Sequence, residues 1–272
     1  MPALRVTSMA ILCFALLATP APAGTPKTSK SATICPLDTI QVGSLCVDKF
    51  EESVWSIPAT NTSLIARAKT GVATLAELTA GGATQLGAAP DVCTGSEYPA
   101  EFPRNGNWTA PLFALSIAGV PPSACISWYQ ATQACALSGK RLLENVEWQM
   151  AAAGTPDPGA TDDGVTQCNV AGTVAANTGA RALCLSSWMA ADMIGNLAEW
   201  TATWDEKNEG CADLGSEFGN GEHCLGGDPT GSRAYALVRG GSHLSGDQAA
   251  IFSVRPFILE NQTRDIGFRC GR

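Results

Sequence analysis

Residues 126–142 read Ile-Ser-Trp-Tyr-Gln-Ala-Thr-Gln-Ala-Cys-Ala-Leu-Ser-Gly-Lys-Arg-Leu and carry the clearest structural signal in the chain. Ser127 and Gln130 form an S-x-x-Q pattern, in which each side chain satisfies a free backbone N–H at a helix N-terminus. Small side chains then recur at helical spacing, at Ala131, Ala134 and Cys135. Because glycine is a natural helix stop, the stretch predicts an α-helix that begins after Ser127 and ends before Gly139.

Outside this helix the expected elements are short and the loops are long. Residues 45–51 show the apolar–polar alternation that is typical of a half-buried strand. A second helix is expected near 145–153, ending at Gly154, and residues 63–90 predict one short helix followed by a loop. The remaining expectations are short strands at 234–239, 250–255 and 266–270, with loops at 154–188 and 205–232. The pattern indicates one α+β domain that is rich in loops.

The composition excludes several classes of protein. The chain has 272 residues, of which 45% are hydrophobic and 15% charged, and its net charge is −8 from 17 basic and 25 acidic residues. A coiled coil needs more charged side chains beside its seam, and a long disordered protein needs lower hydrophobicity. Because no stripe of basic residues is present to neutralise phosphates, a nucleic-acid partner is not expected.

The N-terminus predicts export. Arg5 precedes a short apolar run at 9–17, and Ala21-Pro22-Ala23 supplies the small residues that a signal peptidase accepts. The run is about half the ~20 residues needed to cross a bilayer, and no later stretch is long enough. We therefore expect a signal peptide at 1–23, a flexible leader at 24–34 and one domain at 35–272. The mature chain would be secreted or periplasmic, with no membrane span.

The cysteine count fits that compartment. The chain has 11 cysteines, and removal of Cys13 with the signal peptide leaves ten, enough for up to five disulfides. A zinc site is the competing interpretation. It is disfavoured because no Cys-x-x-Cys pair occurs and because His223 and His243 lack the spacing of zinc ligands.

Four segments, taken in order, resemble the formylglycine-generating enzyme family, also called the sulfatase-modifying-factor family. Together they frame residues 35–272. They are Cys46-Val-Asp-Lys-Phe-Glu51; residues 126–135 with Gly139-Lys-Arg-Leu142 and Glu147-Trp148; Asp192-Met-Ile-Gly-Asn-Leu-Ala-Glu-Trp200; and Val238-Arg-Gly-Gly-Ser242 with Ile266-Gly-Phe-Arg-Cys270.

The resemblance implies a C-type-lectin-like α+β fold, loop-rich, with short strands and two main helices, stabilised by disulfides and often carrying calcium. It also implies a bond between Cys135 and Cys270. Proximity in the sequence suggests the other pairs, although sequence alone does not fix the connectivity. These pairs are Cys35–Cys46, Cys93–Cys125, Cys168–Cys184 and Cys211–Cys224. Each bond would contribute about 2–4 kcal/mol, chiefly by restricting the unfolded chain.

Active members of the family oxidise a substrate cysteine to formylglycine, using copper held by two thiolates five residues apart. In this chain the two positions are Ser245 and Ala250, and no cysteine occurs between Cys224 and Cys270. A serine hydroxyl is hard and stays protonated near neutral pH, so it cannot replace a thiolate as a Cu(I) ligand. Copper is therefore not expected here.

Three further positions bear on the family cleft. Ser242 matches an active-site serine, although a serine beside two glycines is also typical of a tight turn. Ala198 stands where the family usually has an aromatic residue that lines the cleft. His243 follows Ser242 and either faces the cleft or makes ordinary contacts, and two isolated histidines cannot supply the cluster on which iron-dependent relatives rely.

The resemblance also implies calcium. Its ligands would be the side chains of Asp192 and Glu199 and the carbonyls of Gly195 and Leu197. Calcium takes 6–8 oxygen ligands at about 2.3–2.6 Å, which such a loop can offer. The alternative is that the two carboxylates cap backbone groups and Asn196 fixes a turn.

A second calcium loop would use Asn169 and Val170. Its acidic partner falls near Leu183, where this chain has no carboxylate. That site is expected to be lost, or rebuilt with Asp162 or Asp163.

Two hypotheses of function follow. The first is a calcium-stabilised binding or accessory module whose cleft recognises a protein or glycan, with Trp108 or Trp188 as a candidate stacking surface for sugars. The alternative is an oxidoreductase of the sulfatase-modifying-factor family that uses a changed active site. The sequence specifies neither the ligand nor the oligomeric state.

Overall fold

The structure is a computed structural model that describes residues 35–105, 112–205 and 235–272. Several expectations lie outside these ranges: the signal peptide, the leader, Trp108, His223, most of the loop at 205–232 and the Cys211–Cys224 pair. In chain order the elements are β1 (Thr39–Val42), β2 (Leu45–Asp48), β3 (Ser53–Ser56), α1 (Thr62–Lys69), α2 (Leu75–Ala80), β4 (Thr84–Leu86), β5 (Phe113–Leu115), α3 (Trp128–Leu137), β6 (Arg141–Leu142), α4 (Asn145–Ala152), β7 (Ala198–Asp205), β8 (Tyr235–Arg239), β9 (Val254–Ile258), β10 (Ile266–Phe268) and β11 (Cys270–Gly271).

The strands form three small sheets. Their strand orders are β1-β2-β11-β6, β10-β7-β8-β9 and β4-β3-β5. All pairs are antiparallel except β10 with β7, which run parallel. The last strands of the chain thereby join two sheets, since β10 pairs with β7 and β11 lies between β2 and β6.

The helix expected after Ser127 is α3. The Ser127 hydroxyl accepts the backbone N–H of Gln130 at 3.2 Å, and the Gln130 side chain accepts the N–H of Ser127 at 3.1 Å. The helix ends as expected, with Gly139 in the left-handed region at φ +69°. Helix α4 covers the second expected helix, and the α+β, loop-rich fold class is confirmed.

Two local expectations were wrong. Residues 63–90 hold two helices and a strand, because Thr74 starts a new helix by a reciprocal capping bond with Glu77. The strand expected at 250–255 is β9, four residues further along. Its Pro256 lacks an N–H, which is tolerated because β9 is the outermost strand of its sheet.

Four disulfides are present in the described residues, and all four are pairings that we expected. They are Cys35–Cys46, Cys93–Cys125, Cys135–Cys270 and Cys168–Cys184. The Cys135–Cys270 bond joins α3 to the last strand across 135 residues of chain. Within the ranges that the structure describes, no helix combines the length and the apolarity needed to cross a membrane.

A buried charge cluster lies beside the first sheet. The Lys140 ammonium is 2.5 Å from Asp48 and 3.4 Å from both Glu52 and Asp38, and Arg272 bonds Asp38 at 3.1 Å. The pKa of Glu52 is raised well above its usual value by burial and by the neighbouring carboxylate of Asp48. At pH values between the unfolded and the folded pKa, Glu52 is therefore protonated to a greater extent in the folded state than in the unfolded chain.

This raised pKa makes a prediction for Glu52→Gln. A carboxyl group whose pKa is higher in the folded state contributes stability below its unfolded pKa of about 4.3 and loses it as the pH rises. Glutamine keeps the shape without the proton equilibrium. We expect the melting temperature of the wild type to fall more steeply between pH 5 and pH 8 than that of Glu52→Gln. Thermal unfolding across that range is the measurement, and parallel curves would contradict the assignment.

Candidate metal loops and cleft

The loop that precedes β7 is held by Asn196. Its carboxamide oxygen accepts hydrogen bonds from the Asn169 side chain at 3.1 Å and from the Ala176 N–H at 2.7 Å. Its carboxamide nitrogen donates to Glu51 and to the Ala176 carbonyl. Gly195 is required beside it, because a Cβ there would lie 2.3 Å from the Asn169 carbonyl oxygen. The expected turn-fixing role of Asn196 therefore extends to tying three chain segments together.

Glu199 is engaged by two nitrogen-bearing side chains. Its Oε1 accepts from Arg269 Nε at 3.0 Å and from Nη2 at 2.6 Å, and its Oε2 accepts from Trp148 Nε1 at 2.7 Å. All three residues are fully buried. The sequence placed each of them in a motif but did not indicate this contact.

Two more carboxylates lie close to this ion pair. Glu51 accepts the Leu197 N–H at 2.9 Å, and Asp192 accepts the Gly179 N–H at 2.7 Å. Burial, followed by the charges of Asp192 and Glu199, raises the pKa of Glu51 well above its usual value. Burial also raises the pKa of Asp192 to about 6. The loop thus concentrates buried negative charge.

The donor chemistry at this loop fits calcium. Three buried carboxylates, those of Glu51, Asp192 and Glu199, lie near the guanidinium of Arg269, which bonds Glu199 directly. A carboxylate offers about four acceptor positions, and three N–H groups use those of Glu199. These groups make four contacts there, since Arg269 Nε also lies 3.2 Å from Glu199 Oε2, so the second oxygen of Asp192 is the position that remains. A hard divalent cation would offset the excess charge.

The second expected calcium loop does not fit calcium. Arg181 Nη2 lies 3.4 Å from the Asn169 side-chain oxygen, and Arg181 Nη1 lies 3.8 Å from Asp162 and 4.0 Å from Asp163. Leu183, at the position of the missing acid, is largely exposed.

Both carboxylate oxygens of Asp162 accept hydrogen bonds from backbone N–H groups of the loop. One oxygen accepts the N–H groups of Val170 and Ala171, both at 2.9 Å, and the other accepts the N–H of Gly164 at 2.8 Å. A guanidinium thus supplies positive charge beside Asn169 and Asp162, which favours loss of the calcium site at Asn169 and Val170 over its rebuilding with Asp162 or Asp163.

This arrangement makes a prediction for Arg181→Gln. Loss of the buried guanidinium leaves Asn169 and Asp162 without a cationic neighbour, and we expect a loss of about 1–3 kcal/mol in unfolding free energy. The loss should be equal in calcium and in chelator, measured by thermal unfolding. Arg104→Gln is the control, since Arg104 is exposed. A defect in Arg181→Gln that calcium fully repairs would contradict the assignment.

Two of the expected cleft positions, Ser242 and Ser245, lie together after β8. Ser245 Oγ accepts the Ser242 N–H at 2.9 Å, and Ser242 Oγ accepts the Leu244 N–H at 3.2 Å, so Ser242 does form a tight turn. Ala250 is buried, and its carbonyl accepts the N–H of Ser253 at 2.9 Å. A cavity of about 40 Å³ adjoins Ser245 and Ala198. All eight described cysteines are in disulfides, so the described residues offer no thiolate to this cleft.

His243 makes ordinary contacts. It is buried, its Nδ1 lies 2.8 Å from the Asn196 carbonyl oxygen, and burial lowers its pKa. Among the tryptophans, Trp148 and Trp200 are core residues, whereas Trp204 is 45% exposed and Trp188 is 41% exposed. Trp188 therefore has the surface that a sugar-stacking role requires.

Residues 114–272 match the family described as Sulfatase-modifying factor enzyme 1-like domain. Solved structures with a similar fold include the Major Tropism Determinant P3c variant, at 18% identity and a TM-score of 0.45 over 87% of this chain and 52% of that one. CarF is 18% identical with a TM-score of 0.40, over 84% of this chain and 85% of that one. PvdO from Pseudomonas aeruginosa is 16% identical with a TM-score of 0.40, over 84% and 80%.

The chain spans about half the length of the Major Tropism Determinant variant that it matches. Among curated proteins, none matches the sequence.

Proposed function

The chain belongs to the family of Sulfatase-modifying factor enzyme 1-like domains, and from that premise we propose that it is an exported binding or accessory module, not a copper oxidase. The observation that carries this proposal is the identity of the two residues at the oxidase thiolate positions. They are Ser245, which lines the small cavity, and Ala250, which is buried nearby in the chain.

Cysteine usage supports the loss of copper chemistry. Cu(I) is held by soft sulfur ligands, and a methyl group and a hydroxyl provide none. The Ser245 oxygen already accepts the N–H of Ser242 at 2.9 Å, so it serves the turn. All eight described cysteines form disulfides, so none of them is available as a thiolate ligand.

Export is the second part of the proposal. Disulfides persist in oxidising compartments, and a chain with four of them among its described residues is suited to the periplasm or the exterior of the cell. The apolar run at 9–17, followed by small residues, supplies the signal for export.

Calcium is the third part. We place it at Asp192, with Glu199 and the carbonyls of Gly195 and Leu197 as further ligands. It would act as a structural countercharge for the buried carboxylates, and we assign it no chemical step. The support is the presence of three buried carboxylates near the Arg269 guanidinium, which bonds Glu199 alone among them.

The copper prediction concerns the wild type and Ser245→Cys/Ala250→Cys. With Cu(I), oxygen and a cysteine-containing sulfatase-type peptide, we expect the wild type to leave the peptide mass unchanged. A competition assay with a Cu(I) chelator should detect Cu(I) binding in the double variant and none in the wild type. Formylglycine production by the wild type would favour the alternative, an oxidoreductase with a changed active site.

The calcium prediction concerns thermal unfolding. A ligand that binds only the folded state raises the melting temperature by mass action. We expect calcium to raise the melting temperature of the chelator-treated wild type and to leave that of Asp192→Asn unchanged. Asp163→Asn, at an exposed carboxylate, should respond like the wild type. An identical melting temperature with and without calcium in the wild type would remove calcium from the proposal.

A further inference from the structure

The cavity beside Ser245 is small and mostly polar in its chemistry. Four of its lining side chains carry hydrogen-bonding groups: Ser245, Gln248, Ser253 and Arg255. Ala198 and Gly241, which contribute little or no side chain, leave the space between them open. A cavity needs about 10–15 Å³ for each water, so a volume of about 40 Å³ suits a group of about three heavy atoms.

Two of these polar side chains have no hydrogen-bond partner within the described part of the chain. Ser253 uses its backbone, since its N–H bonds the Ala250 carbonyl at 2.9 Å and its carbonyl accepts the Gly240 N–H at 3.2 Å. Its hydroxyl and the Gln248 carboxamide bond to no described residue. Because neither group is engaged by a described residue, both are available to donate a hydrogen bond to a ligand in the cavity.

Arg255 supplies positive charge to the same wall. It lies on β9, the edge strand of its sheet, and its side chain is 34% exposed. Its nearest carboxylate, that of Asp265, is 3.8 Å away, which is beyond a direct hydrogen bond. The guanidinium lies 4.9 Å from the centre of the Phe257 ring, and this contact fixes its position without neutralising its charge.

We propose that this cavity binds a carboxylate group of the ligand, with Arg255 as its countercharge and Ser253 and Gln248 as hydrogen-bond donors. A guanidinium offers the fork of N–H groups that matches a carboxylate, and a carboxylate has three heavy atoms, which the volume admits. The inference rests on the proposed function and deepens it, since it gives the chemical class of the ligand. An acidic side chain of a protein and a sugar acid of a glycan share this chemistry.

The test uses four small probes and NMR titration of the labelled mature chain. The probes are an N-acetylated, amidated tripeptide Gly-Glu-Gly, its Gly-Gln-Gly counterpart, glucuronic acid and glucose. A single ion-paired group predicts a dissociation constant of order 1 mM. We expect saturable binding of at least one acid, with shifts at Ser253 and Gln248, and no saturation by either neutral counterpart. The acid that binds distinguishes a protein ligand from a glycan ligand.

The variants localise the site. Arg255→Gln should weaken binding of the acidic probe about tenfold, as expected for the loss of one charged hydrogen bond. Arg104→Gln should bind like the wild type, and thermal unfolding establishes that both variants are folded. Absence of saturable binding of both acids to the wild type overturns the inference, as does equal binding by Arg255→Gln. Such a failure leaves the binding module standing, whereas formylglycine production in the copper assay would overturn the module itself.

Discussion

The buried ion pair of Arg269 and Glu199 is the interaction on which the rest of the fold depends. Besides Glu199, the Arg269 guanidinium donates to the Asp48 carbonyl at 3.0 Å and to the Ala191 carbonyl at 2.7 Å. It therefore joins the last strands to β2, to the turn before the Asp192 loop and to β7. Removal of one partner leaves the other as an unpaired buried charge, at a cost of about 3–5 kcal/mol. We therefore expect that neither residue tolerates substitution while the other is kept.

Sequence reasoning succeeded where the signal is local. The capping pattern of Ser127 and Gln130 defines α3 from four neighbouring residues, and short separations suggested three of the observed disulfides. It failed where the outcome depends on distant partners. Lys140 meets Asp48 across 92 residues, and no spacing rule links them. The position of β9 likewise depends on its pairing with β8, which periodicity in a five-residue strand cannot reveal.

The two loops in which the sequence suggested calcium differ in the source of their positive charge. Both contain buried polar groups that need positive charge nearby, but that charge comes from different sources. At Asn169 it is covalently part of the chain, in Arg181, so the loop needs no ion. At Asp192 three buried carboxylates lie near the Arg269 guanidinium, which bonds Glu199 alone, and this is the reason that we propose calcium for this loop only.

The contacts that stabilise the fold are separate from the side chains that line the cleft. The Arg269–Glu199 pair, the disulfides and the core around Trp148 and Trp200 do not depend on the side chains of Ser245, Gln248 or Ser253. Substitutions at the cleft can therefore exchange one chemistry for another without an unfolding penalty of the size that a change at Glu199 would impose. A scaffold whose stabilising contacts lie away from its cleft can accommodate changes there. In this chain the cavity beside Ser245 is lined by the Arg255 guanidinium and by the polar side chains of Gln248 and Ser253, and the carboxylate ligand that we propose for it would require no change in the contacts that stabilise the fold.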